Sequence, residues 1–143
     1  MTRFKSARGT ALLETAFILP LVLLISVGIF EFGRAYENMQ VLTNAAREGA
    51  RVAVLSGQPP GAVDARVRWY LDAGGLTGSA AGISVTSTNI SLGGTATTPG
   101  SKVTVTYPFS FMVIQPVAQL VVSGSLMPAS FTMTVVAEMR NEQ

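Results

Sequence analysis

Residues Ala11 to Phe30 read Ala-Leu-Leu-Glu-Thr-Ala-Phe-Ile-Leu-Pro-Leu-Val-Leu-Leu-Ile-Ser-Val-Gly-Ile-Phe. A helix needs about 20 mainly apolar residues to cross a bilayer, and nothing else in the 143-residue chain is long enough. This run therefore predicts one membrane-spanning helix near the N-terminus. Arg3, Lys5 and Arg8 precede it. By the positive-inside rule they keep the N-terminus cytoplasmic and send the rest out of the cytoplasm. Beyond them the remaining seven basic residues face eight acidic ones. The body of the chain thus has no basic excess with which to hold nucleic acid.

Two residues interrupt the run. Pro20 removes a backbone donor and is expected to kink or locally melt the helix. Glu14 costs more. A carboxylate at the centre of a spanning helix costs about 2.5–3.5 kcal/mol, and less near an edge. Glu14 lies near the edge, so it either snorkels to the headgroups or has a specific partner. A cleaved secretory signal fits less well. Such signals have a shorter apolar core and end at small residues, whereas this run ends in Phe30-Glu31-Phe32.

The composition excludes much chemistry. The chain has neither Cys nor His, which removes disulfides, thiolate nucleophiles, imidazole catalysis and His-ligated metals. Asp64 and Asp72 are eight apart on one helix, about 80° around it, and do not converge. Lys102 is the single lysine beyond the leader, on the polar side of a strand. No glycine run leads into a helix with a phosphate-binding lysine. We expect no enzyme, no metal and no cofactor.

After the span, Glu31 to Leu55 carries no Gly-Pro punctuation. Ala35, Met39, Leu42, Ala46, Gly49, Ala50 and Ala53 recur at steps of three and four, the period of an amphipathic helix. Joined to the span, this gives one helix over Leu12 to Val54. Ala45, Ala46, Gly49, Ala50 and Ala53 form a small-residue packing stripe that admits another backbone closely. It packs on the protein's own sheet, on neighbouring subunits, or on both. Arg47 and Arg51 share one face, with Glu48 within reach of Arg51. That set is either a solvated face or a subunit contact.

Pro59-Pro60 ends the long helix. A second is expected from Gly61 to Ala73, with Val63, Val67, Tyr70 and Leu71 inward, Asp64 beside Arg68, and Gly74-Gly75 as its stop. Trp69 and its neighbours read as a partly buried aromatic edge. Three strands follow: Ile83–Ile90, Lys102–Phe109 and Phe131–Met139. Leu92 to Ser101 reads as a polar hairpin loop, Pro108 as a strand end or edge, and a short helix starts near Pro116. The fold class is α+β: a long N-terminal helix, a second helix and a small three-stranded antiparallel sheet covered by helices on one face.

Arg8-Gly9-Thr10-Ala11-Leu12-Leu13-Glu14 resembles the processing site of type IV prepilins: a basic leader, Gly before the cut, and Glu as fifth residue of the mature chain. Ile29-Phe30-Glu31-Phe32-Gly33-Arg34-Ala35 and Leu42-Thr-Asn-Ala-Ala-Arg-Glu-Gly-Ala-Arg-Val-Ala53 are similar to the TadE-like family of tight-adherence (Flp) pilus assembly proteins. Met127 to Thr134 resembles the family's closing strand more loosely. Where the family usually has Phe or Tyr after the acidic residue, this chain has Thr15.

The resemblance implies a pilin-like organisation: a cytoplasmic leader over 1–9, a transmembrane segment over 10–32, and an exported α+β domain over 33–143. It implies a minor pilin or pseudopilin of the inner membrane, cut between Gly9 and Thr10 by a prepilin peptidase, with Glu14 as assembly carboxylate. The implied partners are the membrane, the peptidase, the major pilin and other minor pilins, the secretion ATPase and the inner-membrane platform. The alternative is an uncleaved, single-pass anchored periplasmic assembly or adhesion protein, for which neither Gly9 nor Glu14 is required.

Overall fold

The computed structural model of the chain describes residues 4–93, 96–116 and 130–141, of which 4–8 and 92 are described by backbone alone. The element order is α1 (Phe4–Ala53), α2 (Ala62–Ala73), a short 3-10 turn (Gly78–Ala80), β1 (Gly82–Gly93), β2 (Ala96–Phe109) and β3 (Phe131–Arg140). The chain divides into two units. The first holds α1 up to Arg34 and the segment that begins at Phe111; the second holds Ala35–Ser110 and the C-terminal strand.

Helix α1 differs from expectation at two places. It begins at Phe4 rather than Leu12, so the leader is helical over its described residues, 4–9. It also runs through Pro20 without a break. A proline deletes one N–H, while the residues on both sides keep their own ladder bonds. In the first unit the apolar run is exposed except at Val27 and Gly28, which are half-buried, and the most apolar window of α1 is 0% buried. Thr15 and Ser26 return their hydroxyls to the carbonyls of Ala11 and Val22, at 2.9 and 2.8 Å. Both polar groups are thereby satisfied inside the helix, as hydrocarbon surroundings require.

In the second unit β1, β2 and β3 form an antiparallel sheet in that order. Val103, Val105 and Phe109 alternate inward along β2 as their spacing predicts and are buried. Leu42, Ala45, Ala46 and Ala50 of α1, with Val67 and Leu71 of α2, close the same core. Burying a Val or Leu side chain stabilises by about 1.5–3 kcal/mol. Met39, expected on the inward stripe, is 41% exposed. It falls before the first turn that meets the sheet.

Helix α2 starts at Ala62, one residue later than expected, because Gly61 has a φ of 85° and lies outside the helical region. Its stop is a Schellman motif: Leu76 donates to the Leu71 carbonyl and Gly75 to that of Asp72, at 2.9 and 3.1 Å. Gly75, at φ 80°, supplies the left-handed residue this motif needs.

The expected loop over Leu92 to Ser101 is largely strand. Thr97 and Thr98 pair with Ser91 and Ile90, and Pro99 with Asn89. Pro99 is tolerated because its carbonyl accepts from Asn141 at 3.1 Å. Carbonyl and nitrogen of a strand residue point the same way, so its missing donor falls toward β3, which ends at Arg140. By alternation the Pro108 nitrogen faces β1, which stops pairing at Thr106. Each proline thus sits where one neighbouring strand has run out, even though β2 is central. A Cβ on Gly100 would lie 2.6 Å from Ile90 Cδ1 and 2.8 Å from the Met139 carbonyl oxygen. Glycine is there for close approach and not for a turn. The chain is helical from Ile114 to Pro116. The rest of the short helix expected near Pro116, and Met127 to Ala129 of the suggested closing strand, lie outside the described residues.

Candidate functional site

The first cluster lies on α1 in the first unit. Gly9, Thr10 and Glu14 are all exposed. No atom lies within 4 Å of a Cβ placed on Gly9, and its φ is not positive. Neither packing nor backbone geometry within the described residues asks for glycine there. A glycine inside a helix costs about 1 kcal/mol relative to alanine. The Gly9–Thr10 bond lies within α1, so any protease acting there would have to unwind this turn, and a glycine lowers the cost of unwinding. Glu14 is one helical turn beyond Thr10. Among the described residues none forms an ion pair with it.

At the other end of the run, Glu31 is 0% exposed. Its Oε2 accepts from Arg34 Nη2 at 2.9 Å and its Oε1 from the Val113 N–H at 2.6 Å. Phe32 meets Phe111 edge-on, with ring centroids 5.9 Å apart. Spacing alone flags only the local half of this arrangement: an acid just past the apolar run with Arg34 three residues on.

In the second unit the small-residue stripe is committed to the protein's own core. Ala45, Ala46 and Ala50 are fully buried, and Ala53 packs against the same cluster. A Cβ on Gly49 would come within 2.5 Å of Val67 Cγ2. Arg47 and Arg51 remain exposed. Glu48 pairs with Arg51 at 3.7 Å, as expected, and more closely with Arg66 of α2 at 2.7 Å. Arg66 in turn lies 4.8 Å over the Trp69 ring. Trp69 is 57% exposed, so it is an open platform for that guanidinium and not a partly buried edge. A cation over an exposed indole is worth roughly 0.5–1 kcal/mol.

Asp64 and Asp72 share a structural task. Asp64 grips Arg68 with both oxygens, at 2.7 and 3.0 Å. Arg68 then donates to the Gly78 carbonyl at 2.7 Å, while Asp72 accepts from the Gly78 N–H at 2.8 Å. Arg68 stands midway between the two acids, so its long side chain bridges the angle that separates them. The set fastens the turn after α2 to the helix. Lys102 pairs with Glu138 across the β2–β3 ladder at 3.3 Å, a solvated cross-strand pair. Among the described residues no group of acids is arranged to hold a metal ion.

These features define a class: an α+β protein whose N-terminal helix is long and apolar enough to cross a membrane by length and composition. Residues 9–51 match the family model of TadE-like proteins, a family tied to tight-adherence pilus assembly. The match spans the apolar run and the helix after it, and stops before α2 and the sheet. It bears out the resemblance read from the residues of that segment. No curated protein and no solved structure gives a significant match.

Proposed function

We propose that the chain is a minor pilin or pseudopilin that helps assemble a tight-adherence type IV pilus and so supports adhesion and biofilm. A prepilin peptidase cuts between Gly9 and Thr10. The mature helix stays in the inner membrane until it enters or primes the filament, and the α+β unit lies outside the cytoplasm. Its working partners are the major pilin, other minor pilins, the secretion ATPase and the platform protein. The observation that carries this reading is at Gly9. The family match begins there, three cations precede it, and no described neighbour calls for glycine.

Gly9→Trp tests the cut. Its bulk should block the peptidase while the apolar run still inserts. Intact mass of protein from native membranes should show the leader removed in wild type and retained in the variant. Wild type left uncut in the presence of the peptidase would overturn the pilin reading and leave the uncleaved anchor, which Thr15 favours. Topology gives an independent check. A reporter active only in the periplasm, fused after Gln143, should be on. A silent periplasmic reporter with an active cytoplasmic one would reverse the orientation.

A further inference from the structure

Beyond the spanning helix, we infer that Phe111–Val113 is a second membrane contact, seated among the outer headgroups and clasped there by Glu31. The inference rests on the reading that Ala11–Phe30 spans the bilayer. Twenty helical residues rise about 30 Å, the thickness of the hydrocarbon core. Glu31 therefore emerges at the outer boundary. There its carboxylate is wholly covered and spends its acceptors on Arg34 and on the Val113 N–H. Charge-assisted bonds of this kind are about twice as strong as neutral ones. They hold a loop in which two apolar side chains are left exposed: Met112 is 63% exposed and Val113 41%. Phe30 and Phe32 are exposed beside them, and Phe32 touches Phe111. The apolar surface is thus continuous from the spanning run into the loop. Aromatic and apolar groups at this depth are stabilised by the membrane interface. The loop carries no charge that would oppose it.

Trp fluorescence in bilayers tests the contact. The single native tryptophan, Trp69, is first replaced by Phe. In that background, Met112→Trp in the full chain should lose roughly half its emission to lipids brominated near the glycerol. Lipids brominated at the chain ends should quench it much less, since interfacial groups sit about 5–10 Å into the boundary. Phe17→Trp, within the run, should be quenched by the deep bromines. Adding Glu31→Ala should release the Met112→Trp signal from quenching and leave that of Phe17→Trp unchanged. If Phe17→Trp is quenched and Met112→Trp is not, the second contact is wrong while the span stands. A Met112→Trp signal shielded from both lipid and aqueous quenchers would point to a protein partner and overturn the inference. Quenching that persists in Glu31→Ala would overturn the clasp. No quenching at Phe17→Trp would remove the span and the inference together.

Discussion

Cells carrying Glu14→Gln should hold as much of the protein in their membranes as wild type, yet make on the order of tenfold fewer pili. Replacing a carboxylate in lipid by an amide eases insertion, because the charged form is the costly one. What is lost, on the proposed cut after Gly9, is a partner for the α-amine that the cut would create on Thr10. That amine lies about 6 Å along the axis within the same chain, or comes from a neighbour stacked in the filament. At about 4 Å and an effective dielectric near 20, the attraction is about 4 kcal/mol before desolvation. A surviving surplus of about 1.4 kcal/mol is tenfold in the equilibrium. Glu14→Asp, with a shorter reach, should fall between. The measurement is pilus yield and co-purification with the major pilin at matched membrane levels. Normal assembly by the Gln variant would make Glu14 a tolerated snorkelling residue, and the uncleaved anchor would then lead.

Gly49→Val should be the most damaging single change in the second unit, lowering its unfolding temperature by more than ~10 °C. A Cβ at this position would sit 2.5 Å from Val67 Cγ2, with Val103 and Val63 next at 3.4 and 3.5 Å. Val67 is β-branched and fully buried, so it has few rotamers with which to yield. Overpacking of this kind costs about 1–3 kcal/mol, and for a unit of this size each kcal/mol is worth about 4–8 °C. Gly49→Ala regains up to about 1 kcal/mol of helix propensity, so its net loss should be smaller. Val67→Ala combined with Gly49→Ala should recover part of it, a coupling that a double-mutant cycle reads directly. Thermal unfolding of the full chain in detergent, followed by circular dichroism, is the check. An unchanged transition in Gly49→Val would show that α1 does not approach α2 and the sheet this closely.

The sequence by itself determined whatever depends on a short window. Twenty mainly apolar residues behind three cations predict the span. The three-and-four spacing after it defines the helix, and Gly74-Gly75 ends α2. The alternation of Val103, Val105 and Phe109 selects the inner face of β2. Each is a local signal, because helix period, strand period and backbone conformation act over a few neighbouring residues. Only the tertiary structure decided what depends on where another element stops or arrives. Pro99 and Gly100 carry turn chemistry, yet they are strand residues because β3 ends beside Pro99 and Ile90 fills the space over Gly100. Glu48 pairs with Arg51 within helical reach, but its closest partner is Arg66, eighteen residues away, because α2 folds back along α1. Glu31 becomes a fully covered carboxylate through a backbone N–H eighty-two residues away. No periodicity reports a distance of that kind. It is set by packing, where a buried carboxylate must find donors wherever the chain brings them.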